Sequence, residues 1–234
     1  MQQLLPALAL LLAPTAAAQV FVDSPGNLPG SGPANNSATF AVALADVDLD
    51  GDWDAFSGNG ADVVDQQNQL WMNAGGLQGG TLGIFADETA LRLPNVADRT
   101  RDAVFVDYDG DGDPDLYTVN TSQFSNQPSR FWTNVGGLQG GSPGYYLDQT
   151  ATRWVGLGGP GSSIAPSLVL GGGGYASRNE AQAFADLDGD GDLDLIAAAF
   201  GLGGTGKEPM RLFLNDGLGH FSEFNPSGFQ LAGT

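Results

Sequence analysis

The chain has no cysteine. Disulfide staples and thiol chemistry are therefore excluded. Cationic side chains are also scarce: 8 Lys and Arg stand against 27 Asp and Glu, a formal net charge of -19, and the first basic residue is Arg92. Such a balance repels nucleic acid and anionic membrane surfaces, so neither is expected as a partner. Histidine is nearly absent too. The one residue, His220, follows a glycine in a hairpin, and it reads as a turn residue because a general base needs partners that the sequence does not show. Apart from the N-terminal segment, no stretch approaches the roughly 20 apolar residues that span a bilayer. Helix formers are few and glycine is abundant, at 36 residues, a combination that favours short strands and turns. Aromatic and apolar residues are present in quantity. A hydrophobic fraction of 41% with 13 Phe, 5 Tyr and 4 Trp is enough for a packed core and argues against disorder.

The N-terminus reads as an export signal. Leu8 to Ala13 form a short apolar core, Pro14 follows, and Ala16-Ala17-Ala18 make a small-residue cleavage site, with cleavage expected before Gln19. The pattern departs from the usual one in having no Lys or Arg before the apolar core. Residues 1–18 are thus expected to be removed, leaving a mature chain of 19–234 that works outside the cytoplasm. There calcium is plentiful, and bound metal can substitute for disulfides.

The acidic residues are concentrated. Asp46-Val47-Asp48-Leu49-Asp50-Gly51-Asp52-Trp53-Asp54, Asp107-Tyr108-Asp109-Gly110-Asp111-Gly112-Asp113-Pro114-Asp115 and Asp186-Leu187-Asp188-Gly189-Asp190-Gly191-Asp192-Leu193-Asp194 each place Asp at positions 1, 3, 5, 7 and 9. Together they hold 15 of the 27 acidic residues. Carboxylates at that density repel one another unless the segment is disordered or a cation sits among them.

The flanks repeat with the strings, which start 61 and 79 residues apart. Short apolar segments precede them (Phe40–Ala45, Ala103–Val106, Ala181–Ala185) and follow them (Ala55–Ser57, Leu116–Val119, Leu195–Ala199). A third segment ends at Asn73, Asn134 or Asn215, and a fourth carries Phe85, Tyr146 or Phe221. The turn between third and fourth is tight in the last copy, Asn215 to Gly219, and carries Gly-Gly-Leu-Gln-Gly-Gly at 75–80 and 136–141 in the first two. Each repeat is read as four short strands with the acidic loop between the first two, the pattern of propeller blades. The expected fold is all-β, with blades of four antiparallel strands at about 40–90, 101–150 and 181–225. A Gly, Ser and Pro-rich insertion at 151–181 is a candidate binding loop. Val20–Asp23 resembles a lone fourth strand and Asn225–Phe229 a linker. Because propellers have about 4–8 blades, three repeats are read as a partial propeller.

Calcium takes 6–8 oxygen ligands in irregular geometry, which alternating Asp in a tight loop can supply, and Gly51, Gly112 and Gly191 at position 6 allow the bend. Magnesium prefers water and fewer carboxylates. An EF-hand starts the same way but needs a Glu at position 12 and flanking helices. Position 12 here is Ser57, Thr118 and Ala197, so that reading fails. A solvated acidic turn without an ion stays the plain alternative.

The segments Phe105 to Leu116 and Phe184 to Leu195, with Phe85-x-Asp87-x-Thr89 and Tyr146-x-Asp148-x-Thr150, resemble the VCBS/FG-GAP repeat shared with integrin-α-type β-propellers and ASPIC/UnbV-like secreted bacterial proteins. The resemblance covers about 40–234. It implies a calcium-binding propeller used outside cells for adhesion or recognition, with about three Ca²⁺ sites. It also implies side-chain ligands at positions 1, 3, 5 and 9, which are Asp46, Asp48, Asp50 and Asp54; Asp107, Asp109, Asp111 and Asp115; and Asp186, Asp188, Asp190 and Asp194. Position 7, namely Asp52, Asp113 and Asp192, would give its backbone carbonyl. The first copy departs from the repeat with Leu49 where the others have glycine.

Catalysis finds no constellation. A glycosidase pair needs one carboxyl in an apolar site, and these Asp lie in hydrophilic loops. Gly161-Ser162-Ser163-Ile164 lacks the closing glycine of a nucleophile elbow. Trp71 and Trp132 are read as core, and Trp154, beside the insertion, as a surface candidate for sugar stacking. Asn35-Asn36-Ser37 and Asn120-Thr121-Ser122 match glycosylation sequons. The expected function is a non-enzymatic adhesion or recognition module with structural calcium and an extracellular protein or glycan ligand. A part of an extracellular polysaccharide-acting enzyme is the alternative.

Overall fold

The structure, a computed structural model, describes residues 24–29, 37–60, 64–120, 128–155, 178–200 and 211–224. In chain order the strands and helices are β1 (Thr39–Ala45), β2 (Asp54–Asn59), β3 (Gln66–Gln67), β4 (Gln69–Asn73), β5 (Phe85–Asp87), α1 (Thr89–Arg92), β6 (Ala97–Asp98), β7 (Thr100–Val106), β8 (Asp115–Asn120), β9 (Arg130–Asn134), β10 (Tyr146–Asp148), α2 (Thr150–Arg153), β11 (Trp154–Val155), β12 (Arg178–Ala185), β13 (Asp194–Phe200), β14 (Arg211–Asn215) and β15 (Phe221–Phe224). The fold is all-β, and the two helices are single turns.

Three antiparallel meanders follow one another: β1-β2-β4-β5, then β7-β8-β9-β10, then β12-β13-β14-β15. Each acidic string is the link from a first strand to a second, and its ninth residue opens the second strand. The first strand of each sheet carries a register shift at the same place, between Thr39 and Ala41, Thr100 and Asp102, and Asn179 and Ala181. Recurrence of an irregularity at matched positions marks it as part of the repeat.

The cores lie between sheets. One cluster joins Ala41, Val47, Phe56, Leu70 and Met72 of the first unit to Ala103, Leu116, Trp132 and Tyr146 of the second, with Leu93 closing it. The other joins Tyr108, Tyr117, Val119 and Phe131 to Leu195, Ala197, Phe213 and Phe221, with Trp154 in Leu93's role. Phe131 stacks on Phe221 with centroids 4.9 Å apart. Alternation along the strands turns one set of side chains to the preceding sheet and the other to the next. Each large side chain so buried contributes about 1.5–3 kcal/mol.

Three expectations need correction. Trp154 is not a surface platform: it is only 5% exposed, because β11 runs on from α2 and pairs in parallel with β15, Trp154 opposite Phe221. The insertion is shorter at both ends than 151–181, since 151–155 belong to α2 and β11 and β12 starts at Arg178. The single turns α1 and α2 were not foreseen. They form where Asp87 and Asp148 each accept the N–H of the Thr two residues on, at 3.0 and 3.1 Å, an Asx-type turn start. Residues 1–23, 156–177 and 225–234, which include the export segment, Val20–Asp23 and Asn225–Phe229, lie outside the described residues. Among the described residues, no helix is long and apolar enough to cross a membrane.

Candidate metal centres

Position 1 shapes each loop from within. Asp46 accepts the N–H groups of Asp50 and Gly51 at 2.9 and 3.0 Å. Asp107 accepts those of Asp111 and Gly112, both at 3.0 Å. Asp186 accepts those of Gly189 and Gly191 at 2.7 and 3.2 Å. Position 6 sits at φ +98°, +94° and +101°, which only glycine adopts without strain. Leu49 takes φ +60° where the other copies have glycine at +73° and +87°. The first loop therefore keeps the common shape at a steric cost of about 1–2 kcal/mol.

Position 9 is a strut. The Asp54 carboxylate accepts Val47 N–H at 3.1 Å and Asn73 N–H at 2.8 Å. Asp115 does the same for Tyr108 and Asn134, at 3.3 and 2.8 Å, and Asp194 for Leu187 and Asn215, both at 2.9 Å. All three are fully buried and tie the loop to the third strand of its own sheet. Burial pushes the Asp54 carboxyl up to about 7 and that of Asp115 up to about 9.

Positions 3 and 7 carry unmet acceptors. Asp48 Oδ2 accepts Gln78 Nε2 at 2.7 Å and lies 3.5 Å from the Arg92 guanidinium. Asp109 Oδ2 accepts Gln139 Nε2 and Arg153 Nη2, each at 2.9 Å. The other oxygen of each, Oδ1, is buried and receives no donor. Asp52 and Asp113 are 5% and 1% exposed, and neither carboxylate oxygen of either residue receives a donor. Burial first, and then the charge of Asp111, push Asp113 up to about 7. A buried carboxylate without donors is costly, and a cation is the usual remedy.

Ligand-capable oxygens converge at each loop. Those of Asp46, Asp48 and Asp50, of Asp107, Asp109 and Asp115, and of Asp186, Asp188 and Asp194 lie within 4.8 Å of one another. At that distance, and an effective dielectric of about 20, each charge pair repels by about 3 kcal/mol. Asp54, Asp111 and Asp190 fall outside those groups of three. Asp52, Asp113 and Asp192 turn their side chains toward Gly75, Gly136 and Gly217.

The repeated Gly-Gly-Leu-Gln-Gly-Gly is the lid of the first two loops. A Cβ on Gly76 or Gly137 would overlap the carboxylate of Asp50 or Asp111, and one on Gly75 or Gly136 that of Asp52 or Asp113. Its glutamine caps position 3. Neighbouring loops are also cross-linked: Asn134 Nδ2 donates to Val47 O at 2.9 Å, and Asn215 Nδ2 to Tyr108 O at 2.7 Å. Among the described residues no such lid covers the third loop, and Asp186, Asp188 and Asp190 are exposed.

Sequence reading missed Gln78, Gln139, Arg92 and Arg153. The signal was available, since Gln78 and Gln139, and Arg92 and Arg153, keep the 61-residue spacing of Asp48 and Asp109. Trp53, 63% exposed in the first loop, was also passed over. His220 pairs with Asp216, Nδ1 to Oδ2 at 3.0 Å, within the last hairpin. Asn120 is fully buried and donates to Pro128 O at 2.8 Å, so its sequon is closed in the folded chain. No protein-family model matches the chain, and no curated protein matches it.

Proposed function

We propose that the chain is a secreted calcium-binding repeat module of the VCBS/FG-GAP type. Its three sheets are blades of a β-propeller, and its acidic loops hold Ca²⁺ as a structural ion. The observation that carries this reading is the set of buried carboxylate oxygens without donors: both of Asp52, both of Asp113, and Oδ1 of Asp48 and Asp109. They lie in loops whose other carboxylates crowd within 4.8 Å. Oxygen-only donors of this number and charge suit calcium better than magnesium or a softer metal.

Calcium when bound supplies positive charge that the loops lack. The protein's own part is to hold the ligands in place, through the position-1 hydrogen bonds, the position-9 strut and the glutamine cap. Because the ion binds only the folded form, each site adds roughly 1.4 kcal/mol at a free concentration about ten times its dissociation constant. Extracellular modules bind at about 10⁻⁴ to 10⁻³ M. The module recognises an extracellular protein or glycan and does not catalyse, a reading supported by acids engaged in loop structure and by the lone histidine's place in a hairpin. Thermal melts in millimolar calcium and in excess chelator test the metal reading: the melting temperature is expected to fall by several degrees on chelation, and superimposable curves would refute it.

A further inference from the structure

The first sheet leaves an apolar face open. Phe40, Val42 and Leu44 of β1 are 51%, 68% and 52% exposed. The residues 61 positions after Val42 and Leu44 are Ala103 and Phe105; Ala103 is buried in the core between the first and second sheets, and half-buried Phe105 packs against it. This is therefore the face that a sheet turns to the one before it. The third sheet leaves the opposite face open. Ala183, Ala185 and Leu187 are exposed, whereas their counterparts Val104, Val106 and Tyr108 pack toward the third sheet.

A second feature matches the two faces more closely. Gly144 and Gly219 are the places where one hairpin closes on the loop before it. Gly144 sits against Asp48 and Arg92, and Gly219 against Asp109 and Arg153. Gly83 is the same position in the first sheet, at φ +84° against +82° and +76°, and nothing described lies within 4 Å of its Cβ direction. It forms a notch shaped for a position-3 aspartate of a preceding loop. The position-3 aspartate with no hairpin over it is Asp188.

We infer that a second copy of this chain covers this face. The third sheet of each copy stacks on the first sheet of the other, with Asp188 entering the Gly83 notch. Such an interface is head-to-tail, so it closes into a ring or runs on as a filament. Two copies bring together six of the described four-stranded sheets, inside the range of about 4–8 that propellers close with, and three copies bring nine, outside it. The pairing of faces follows from the stacking of sheets within the chain. Only the closed ring rests on the propeller reading, and nothing in it rests on calcium.

Light scattering on the full chain in millimolar calcium tests the pairing. The expected mass is twice the 24.1 kDa of one copy. V42R, on the first face, and A183R, on the last, should each give one copy. An equimolar mixture of the two variants should recover the two-copy mass, since each keeps the face that the other has lost. Circular dichroism checks folding, and L44E with A185E replace any variant that unfolds. A single-copy wild type, whose face some segment of its own chain would then cover, overturns the inference. So does an A183R that still pairs, whereas an open series of masses that both variants abolish would support the pairing of faces and overturn the closed ring. A chain whose melting temperature is the same in calcium and in chelator, yet which keeps the two-copy mass, would refute the calcium reading and leave this one standing.

Discussion

The second acidic string and the third differ only at positions 2 and 8, yet Asp109 and Asp113 are buried while Asp188 is exposed. The string itself does not decide its burial; its neighbours do. The second loop has the lid of residues 136–141 over it, the Arg153 guanidinium against it, and the Gly219 hairpin of the next sheet closing on both. The third has a five-residue turn and no described sheet beyond it. A carboxylate cluster in the open can shed its charge penalty into water, whereas one under a lid cannot. On the calcium reading proposed above, the lidded loops are where an ion would contribute most to folding.

Removing Arg153 should break this contrast most severely. It is nine-tenths buried or more and donates to Asp109, to Leu218 O at 2.5 Å and to Thr133 Oγ1 at 3.1 Å. R153A strands a buried carboxylate and a carbonyl, and should cost about 3–5 kcal/mol in urea unfolding. R211A, in the third sheet, loses the two-pronged pair with Glu223 and the contact with the Phe213 ring but strands no fully buried carboxylate, and should cost about 1 kcal/mol. Equal losses would contradict the comparison. G137A comes next: the added Cβ meets Asp111 and the backbone stands at φ +39°, so a loss of about 1–3 kcal/mol is expected. Q139A removes one hydrogen bond to a charged group and should lower stability by about 1–2 kcal/mol, with faster calcium release from the second loop and no change at the third. The smallest effect has the opposite sign. L49G relieves the left-handed strain of the first loop and should raise the melting temperature by an amount worth about 1 kcal/mol or less. A drop would mean that Leu49 makes a contact that matters more than its backbone.

Much of this was legible in the sequence. Strand, acidic loop, strand, and the Asn that ends the third strand are set by short-range alternation and by glycine, so Leu116, Trp132 and Leu195 were placed correctly. Partners far along the chain show only in the long repeat. Arg153 reaches Asp109 across 44 residues; no local period announces it, and only the 61-residue spacing it shares with Arg92 marks it. Trp154 looked exposed beside a glycine-rich stretch because its cover, Phe221 on β15, arrives from the end of the chain. Within each string the resemblance set position 7 apart from the other four Asp. Only the fold shows that position 9 braces Asn73, Asn134 or Asn215, and that the oxygens of position 7 in the first two loops receive no donor. The two-residue pair of β3 and β6, Gln66 opposite Asp98, left no trace in the pattern because two residues are too few to show alternation.

Calorimetric titration of the chelator-stripped chain with calcium tests the central claim most directly. Three equivalents are expected to bind, with the ion of the exposed third loop lost first when chelator is added back, and with D109N, which alters a carboxylate of the converging second-loop group, abolishing one equivalent and leaving two. Absence of saturable binding, or a D109N chain that still takes three equivalents, would contradict the calcium reading.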